Sequence, residues 1–296
     1  MSAPWLMILA SFLFATMGVC VKLASAHYAA GEIVFYRGLT GAVLMLAYAR
    51  WHRATLATRV PAMHFWRSVT GVVSLCLWFY AIGNLPLATA MTLNYMSSVW
   101  MALFLIGGAI AVGAARIDGR ALAAVLLGFA GVALVLRPTI DQQQLWHGLM
   151  GLLSGMFAAT AYLQVTALGR AGETDDRIVF YFSLGSVGAG ALTLLWTGMQ
   201  PHTWAGIAEL LAVGVLATVA QWMITRAYST GRTLVNASLH YLGIAFSFAY
   251  GVLLFDDRVT PLALLGMVLI VGAGLFATVL RTRSVAHDQG TAPNES

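Results

Sequence analysis

Leu93-Asn94-Tyr95 sits in the middle of an otherwise apolar segment, and Leu239-His240-Tyr241 repeats its form 146 positions later in a segment of similar character. An amide and an imidazole, each followed by tyrosine and each deep in apolar sequence, do not read as surface residues. They read as the facing walls of one site, and the rest of the chain can be tested against that idea. At helical spacing Asn94 shares a face with Ser97, Ser98 and Met101, and His240 with Asn236, Gly243 and Ser247.

The surroundings of these two stretches fix the class of protein. Of 296 residues, 60% are hydrophobic and 9% charged, and the mean hydropathy is +0.82. Soluble domains carry about 25% charged residues, so the composition is that of an integral membrane protein. At roughly 20 apolar residues per crossing, the length accommodates about ten helical spans. Spans must be helices here, because a bilayer core leaves no other way to pair every backbone group and no strand-like alternation is present. The net charge of +5 comes from scattered arginines and a single lysine, Lys22, without a basic run; nucleic acid is not an expected partner. Cys20 and Cys76 lie inside apolar segments and read as small buried hydrophobes.

The expected spans are 4–24, 31–50, 65–84, 87–111, 119–137, 147–168, 177–197, 203–226, 233–254 and 261–281. Pro4 to Ala24 reads as a retained first span, since neither a basic leader nor a cleavage site is evident. With a cytoplasmic N-terminus the inner loops receive Arg50, Arg53, Arg59, Arg67, Arg116, Arg120, Arg170, Arg177, Arg226, Arg232, Arg281 and Arg283, twelve in all. The outside receives three, Lys22, Arg137 and Arg258. That asymmetry predicts an inner-membrane protein with both termini cytoplasmic.

The two halves repeat. Ile33-Val34-Phe35-Tyr36 recurs as Ile178-Val179-Phe180-Tyr181, Leu9-Ala10-Ser11 as Leu152-Leu153-Ser154, and Gly131 as Gly272. Residues 1–141 form one expected five-helix repeat and 142–283 the second, with 284–296 a polar, disordered cytoplasmic tail. Five is odd, so the second repeat must lie upside down relative to the first. Inverted repeats place a binding site near the midplane, where the halves meet. Asn94 lies seven residues into its span, about 10 Å at the helical rise, and His240 reaches a similar depth from the opposite face.

Other polar stripes point inward as well: Thr218, Gln221, Trp222 and Thr225; Phe157, Thr160 and Gln164; Ser74 and Trp78; Ser11 and Thr16. The competing reading of such residues is that hydroxyls and amides tie helices together. His240 carries more weight, because an ionisable group inside a membrane is costly and marks function. Its titration near neutrality suits a proton-coupled step, and a neutral hydrogen-bonding role fits equally well. Glu32, Arg37 and Glu209 fall toward the outer leaflet, either as snorkelling or paired charges or as an outer vestibule for a charged substrate. Gly151-x-x-x-Gly155 predicts close helix packing without implying a dimer. No nucleophile elbow, zinc-protease helix or phosphate loop is present, and Asp175-Asp176 and Asp256-Asp257 sit at opposite faces. The sequence therefore predicts a non-enzyme, without cofactor or metal site.

Phe35-Tyr36-Arg37, Trp78-Phe79-Tyr80-Ala81 with Leu85-Pro86-Leu87-Ala88, and Gly128-Phe129-Ala130-Gly131 with Leu136-Arg137-Pro138 resemble the drug/metabolite transporter superfamily. More narrowly they are similar to its ten-helix EamA-type permeases, including an S-adenosylmethionine-uptake-like branch, over about residues 5–281. The resemblance implies an all-α membrane carrier whose central cavity is lined mainly by spans one, three, four, six, eight and nine. Two departures stand out. Ala114-Ala115 occupies the place of a frequent Gly-Glu pair before span five, and Ser98 that of a frequent proline, which predicts a straighter span four.

Together these features predict a secondary transporter of a small organic metabolite (amino-acid-like, nucleoside-like or otherwise amphipathic) working by alternating access as a monomer or homodimer. The expected substrate-binding residues are Asn94, Tyr95, His240, Tyr241, Trp78, Gln164, Gln221, Trp222, Ser98 and Thr160. The alternative is a membrane-embedded enzyme or lipid-handling protein, which would need an acidic or histidine cluster at one interface.

Overall fold

The computed structural model describes residues 3–111, 119–136, 142–230, 240–257 and 260–290. Asn236 and Leu239 lie outside the described residues, as do Ala114, Ala115 and the side chain of Ser98. The described chain is helical, with α1 Ala3–Ala24, α2 Ala30–Trp51, α3 Pro61–Asn84, α4 Leu87–Tyr95, α5 Ser97–Ala111 and α6 Gly119–Leu136 in the first half. The second half contains α7 Gln142–Arg170, α8 Asp175–Thr197, α9 Trp204–Thr230, α10 Leu242–Phe255 and α11 Pro261–Gly290. Six of these helices are individually long and apolar enough to cross a membrane; α4 and α5, one residue apart, make a further crossing together.

Local sequence sets the boundaries. Pro61 opens α3 at a position where its missing N–H costs nothing. Leu85, held extended by the following Pro86, closes it. Gly198 ends α8 in the left-handed region at φ 69°, where a side chain would be strained. α11 runs on to Gly290, so residues 284–290 continue the last helix where a disordered tail was expected.

The helices pair across the two halves of the chain. α2 packs on α8, its own symmetry mate; α1 packs on α9 as α3 packs on α7; α6 packs on α11; α4 packs on α10. Exchanging the halves leaves this pattern unchanged. Close approach depends on glycine where the mates cross. A Cβ on Gly38 would stand 2.8 Å from the Ser183 carbonyl oxygen, and one on Gly131 2.8 Å from that of Gly266.

Span four is interrupted, although it lacks the proline that would explain a break. The ladder falters at Met96, whose N–H is shared between the Thr92 and Leu93 carbonyls at 3.2 and 3.3 Å. Gly155 of α7 presses on the same place, leaving a Cβ only 2.7 Å from the Leu93 carbonyl oxygen and 3.0 Å from that of Asn94. Span nine turns at the matching position, with α10 starting just after Tyr241. All nine residues of α4 are buried, the polar Thr89, Thr92 and Asn94 among them.

Tryptophan marks the rims. Trp5, Trp51, Trp66, Trp146, Trp196 and Trp204 are exposed, all near helix ends, three toward the face of the termini and three toward the other. That is the distribution of aromatic belts at the two membrane interfaces. Between them Leu126, Leu192, Leu253 and Val268 face outward, as lipid contact requires.

Candidate functional site

A central cavity with about 60 Å³ of free volume lies between the halves. α1 contributes Phe14 and Met17, α2 Arg37, and α3 Arg67, Gly71, Ser74, Leu75 and Trp78; α4 adds Asn94 and Tyr95. From the second half come Ala158, Ala161 and Tyr162 of α7, Phe182 of α8, Gln221 of α9, and His240. The lining therefore includes spans two and seven in addition to the six implied by the resemblance.

Asn94-Tyr95 and His240-Tyr241 meet here. The rings of Tyr95 and His240 stand 4.6 Å apart, edge to face, and Tyr95 and Tyr241 6.3 Å apart. Gly243 lies against the Tyr95 hydroxyl, and Ser11 donates to the His240 carbonyl oxygen at 3.3 Å. Asn94 is fixed by a chain of bonds: its Nδ2 donates to Ser154 Oγ at 3.0 Å, which donates to the Gly151 carbonyl at 2.6 Å. Ser74 donates to the Ser154 carbonyl at 2.8 Å. The Gly151 and Gly155 steps are thus spent inside the chain, against span four.

Not every expected residue faces the cavity. Gln164 accepts a 2.8 Å bond from Thr70, and Thr160 donates to the Phe157 carbonyl of its own helix at 2.7 Å. Trp222 turns away and donates from Nε1 to Asp176 at 3.0 Å. None of the three lines the cavity. Trp78 and Gln221 do, and so do Asn94, Tyr95 and His240, while Tyr241 reaches it through Tyr95.

The larger departure concerns arginine. Arg37, expected at an outer vestibule, and Arg67, expected in an inner loop, are 5% and 4% exposed and line the cavity from two helices. Both guanidinium groups stack on the Phe182 ring, at 5.0 and 4.2 Å from its centroid. Gly71, one turn beyond Arg67, leaves the space into which that guanidinium folds. Arg67 lies within α3 rather than in an inner loop, because the helix begins at Pro61; removing it from the inner count leaves the charge asymmetry intact. Glu32 is separate from both arginines, 3.5 Å from His202 Nε2 and accepting from the Gln200 N–H at 3.4 Å. Glu209 is half-buried outside the cavity.

Polar ties join the halves above and below the cavity. At the face of the termini, Glu173 accepts from Thr58 at 3.0 Å and Arg177 at 3.2 Å and lies 3.2 Å from His64 Nε2. Burial alone would raise its pKa, but these bonds outweigh it and hold the carboxyl below its ordinary value. At the other face, Asp257 pairs with Lys22 at 3.1 Å and accepts the Leu87 N–H at 2.9 Å, which caps α4.

Comparison with known proteins agrees with this architecture. A profile of the EamA-like transporter family matches residues 1–137. The pseudopaline exporter CntI of Pseudomonas aeruginosa is 34% identical over 92% of this chain and 94% of its own. The riboflavin transporter of Rhizobium johnstonii is 26% identical over 75% and 72%. A solved crystal structure with 18% identity superposes with a TM-score of 0.63, covering 95% of this chain and 98% of that one, and shares the fold.

Proposed function

The chain belongs to the EamA-like transporter family of the drug/metabolite transporter superfamily, and from that premise we propose that it is a secondary-active carrier of a small organic metabolite working by alternating access. The observation that carries the reading is the cavity itself. It lies between two inverted halves, walled by aromatic rings (Phe14, Trp78, Tyr95, Phe182) and by the amides of Asn94 and Gln221. Such a lining suits a small organic molecule rather than a bare ion, which would need a cage of oxygen ligands. The relatives named for pseudopaline and riboflavin support the same choice.

In this reading the halves rock about the cavity, and the polar ties open in turn. With Glu173 released from His64 and Thr58, the cavity opens toward the face of the termini; with Lys22 and Asp257 parted, it opens toward the other. The arginine asymmetry supports a plasma or inner membrane location with both termini cytoplasmic. One chain walls the cavity from both sides, which supports the monomer as the working unit. His240, at the cavity wall, is the group proposed to carry a coupling proton.

The test uses everted membrane vesicles containing the full chain and an isotope-labelled extract of bacterial metabolites. Compounds accumulated above empty vesicles, read by mass spectrometry, are the transported set. The reading predicts one or a few small organic molecules, lost when Asn94 or His240 is replaced by alanine. Accumulation of nothing above control contradicts it.

A further inference from the structure

We infer that the transported molecule carries a carboxylate, and that it is seated between Arg37 and Arg67 with Phe182 as the floor. The inference rests on the carrier reading above and narrows its substrate.

The argument begins with the cost of burying charge. A guanidinium taken out of water inside a membrane protein needs a counter-charge or a full set of acceptors. Arg37 and Arg67 have neither. Both are more than nine-tenths buried, and Nε of Arg37 and both Nε and Nη1 of Arg67 have no hydrogen-bond partner among the described residues. No aspartate or glutamate of the described residues lines the cavity. Of the other carboxylates, Glu32 is held by His202 and Gln200, Glu173 by His64, Thr58 and Arg177, Asp176 by Trp222 and Asp257 by Lys22, while Glu209, whose Oε2 has no partner among the described residues, lies outside the cavity.

Phe182 eases this arrangement without neutralising it. A ring face attracts a cation, and here one ring serves two, which brings like charges close together. Two like charges sharing a ring repel, and something negative between them relieves that repulsion. The fork of an arginine matches a carboxylate in two parallel bonds, and two forks around one ring can grip one carboxylate from both sides or two carboxylates of one molecule. Both guanidinium groups are also held in place beforehand. Arg67 folds back into the gap left by Gly71, where a Cβ would stand 2.9 Å from the Phe182 ring.

The remaining wall identifies the rest of the molecule. Trp78, Tyr95 and Phe14 offer flat apolar contact, and Asn94 and Gln221 add amides to the lining. The site is therefore bipolar, with a carboxylate at the α2–α3–α8 side and an organic body toward α4 and His240. An inorganic anion would leave that second part unfilled.

The test starts with equilibrium binding to the full chain in lipid nanodiscs, read as the thermal unfolding midpoint. The probes are glutarate, its uncharged diamide glutaramide, and inorganic phosphate, at equal concentration and ionic strength. Glutarate should raise the midpoint and glutaramide should not. Arg37→Gln and Arg67→Gln should each weaken glutarate binding by about tenfold or more, while Arg67→Lys, which keeps the charge and loses the fork, retains part of it. Equal shifts with diacid and diamide, no shift with either, or full binding by both glutamine variants overturns the inference. A response to phosphate alone overturns the assignment to carboxylate. The vesicle assay separates this from the carrier reading. If glutarate binds and no metabolite accumulates, the carrier reading fails while the anion site stands. If the accumulated metabolites carry no anionic group, or both glutamine variants transport them normally, the anion site fails while the carrier stands.

Discussion

The imidazole of His240 stands edge-on to the phenol ring of Tyr95, with centroids 4.6 Å apart. His240 directly precedes the turn at Tyr241 that leads into α10, and Tyr95 is the last residue of α4, so spans four and nine touch through these rings. The contact joins the halves at the cavity wall, where a rocking motion would change it.

Replacing His240 separates two roles. His240→Ala removes the ring contact and should lower stability by about 0.5–1.5 kcal/mol. His240→Phe keeps a ring there, so its unfolding midpoint should stay close to wild type. If the imidazole carries a coupling proton, His240→Phe loses the dependence of accumulation on an imposed proton gradient and keeps substrate counterflow. Retained gradient dependence in that variant rules the coupling role out.

The Glu173 tie has a definite pH sense. Its carboxyl is held below the ordinary value of 4.5, so the folded state binds fewer protons there than the unfolded one. The stabilisation is fully present above that ordinary value and is lost as pH falls through the depressed folded one. Unfolding midpoints measured from neutral to acid pH should therefore drop more steeply for wild type than for Glu173→Gln. Parallel curves would show that the tie contributes nothing.

Lys22 and Asp257 should not be equivalent. Lys22→Ala leaves Asp257 its bond from the Leu87 N–H, and the residues are partly solvated, so the loss should be about 1 kcal/mol or less. Asp257→Ala uncaps α4 and removes the counter-charge of Lys22, which keeps its bond to the Leu85 carbonyl, for about 1–3 kcal/mol. Unfolding midpoints in detergent order the two variants; a larger loss for Lys22→Ala contradicts the capping role.

Gly155 lies against backbone, and Gly151 against a side chain. A Cβ on Gly155 meets the Leu93 carbonyl oxygen at 2.7 Å, whereas one on Gly151 meets the flexible Leu93 Cδ1 at 3.0 Å. Gly155→Ala should cost about 1–3 kcal/mol and Gly151→Ala distinctly less. Comparing the two unfolding midpoints checks this directly.

Much of the architecture could be read from the chain because membranes impose few solutions. Apolar length gave the crossings, arginine placement the asymmetry, and the echo of Ile33–Tyr36 at Ile178–Tyr181 the repeat. The midplane pair was legible for the same reason, since Asn94 and His240 are costly where they stand. Arg67 was not, because a basic residue a few positions from a loop looks like the loop until the helix is seen to begin at Pro61. Trp222 and Gln164 share helix faces with cavity residues in sequence, and only rotation against Asp176 and Thr70 shows that they point elsewhere. The break at Met96 has no local signal; it lies where Gly155, distant in sequence, brings α7 against the Leu93 and Asn94 carbonyls.

The most direct measurement of the central claim is counterflow of the identified metabolite in proteoliposomes containing wild type, Asn94→Ala, His240→Ala and, as a control on the outer side of α7, Thr166→Ala. A substrate held between the halves predicts that the first two variants lose about tenfold or more of the wild-type rate at low substrate concentration, while Thr166→Ala transports normally. Wild-type rates in both Asn94→Ala and His240→Ala, with the proteins correctly inserted, would contradict the account.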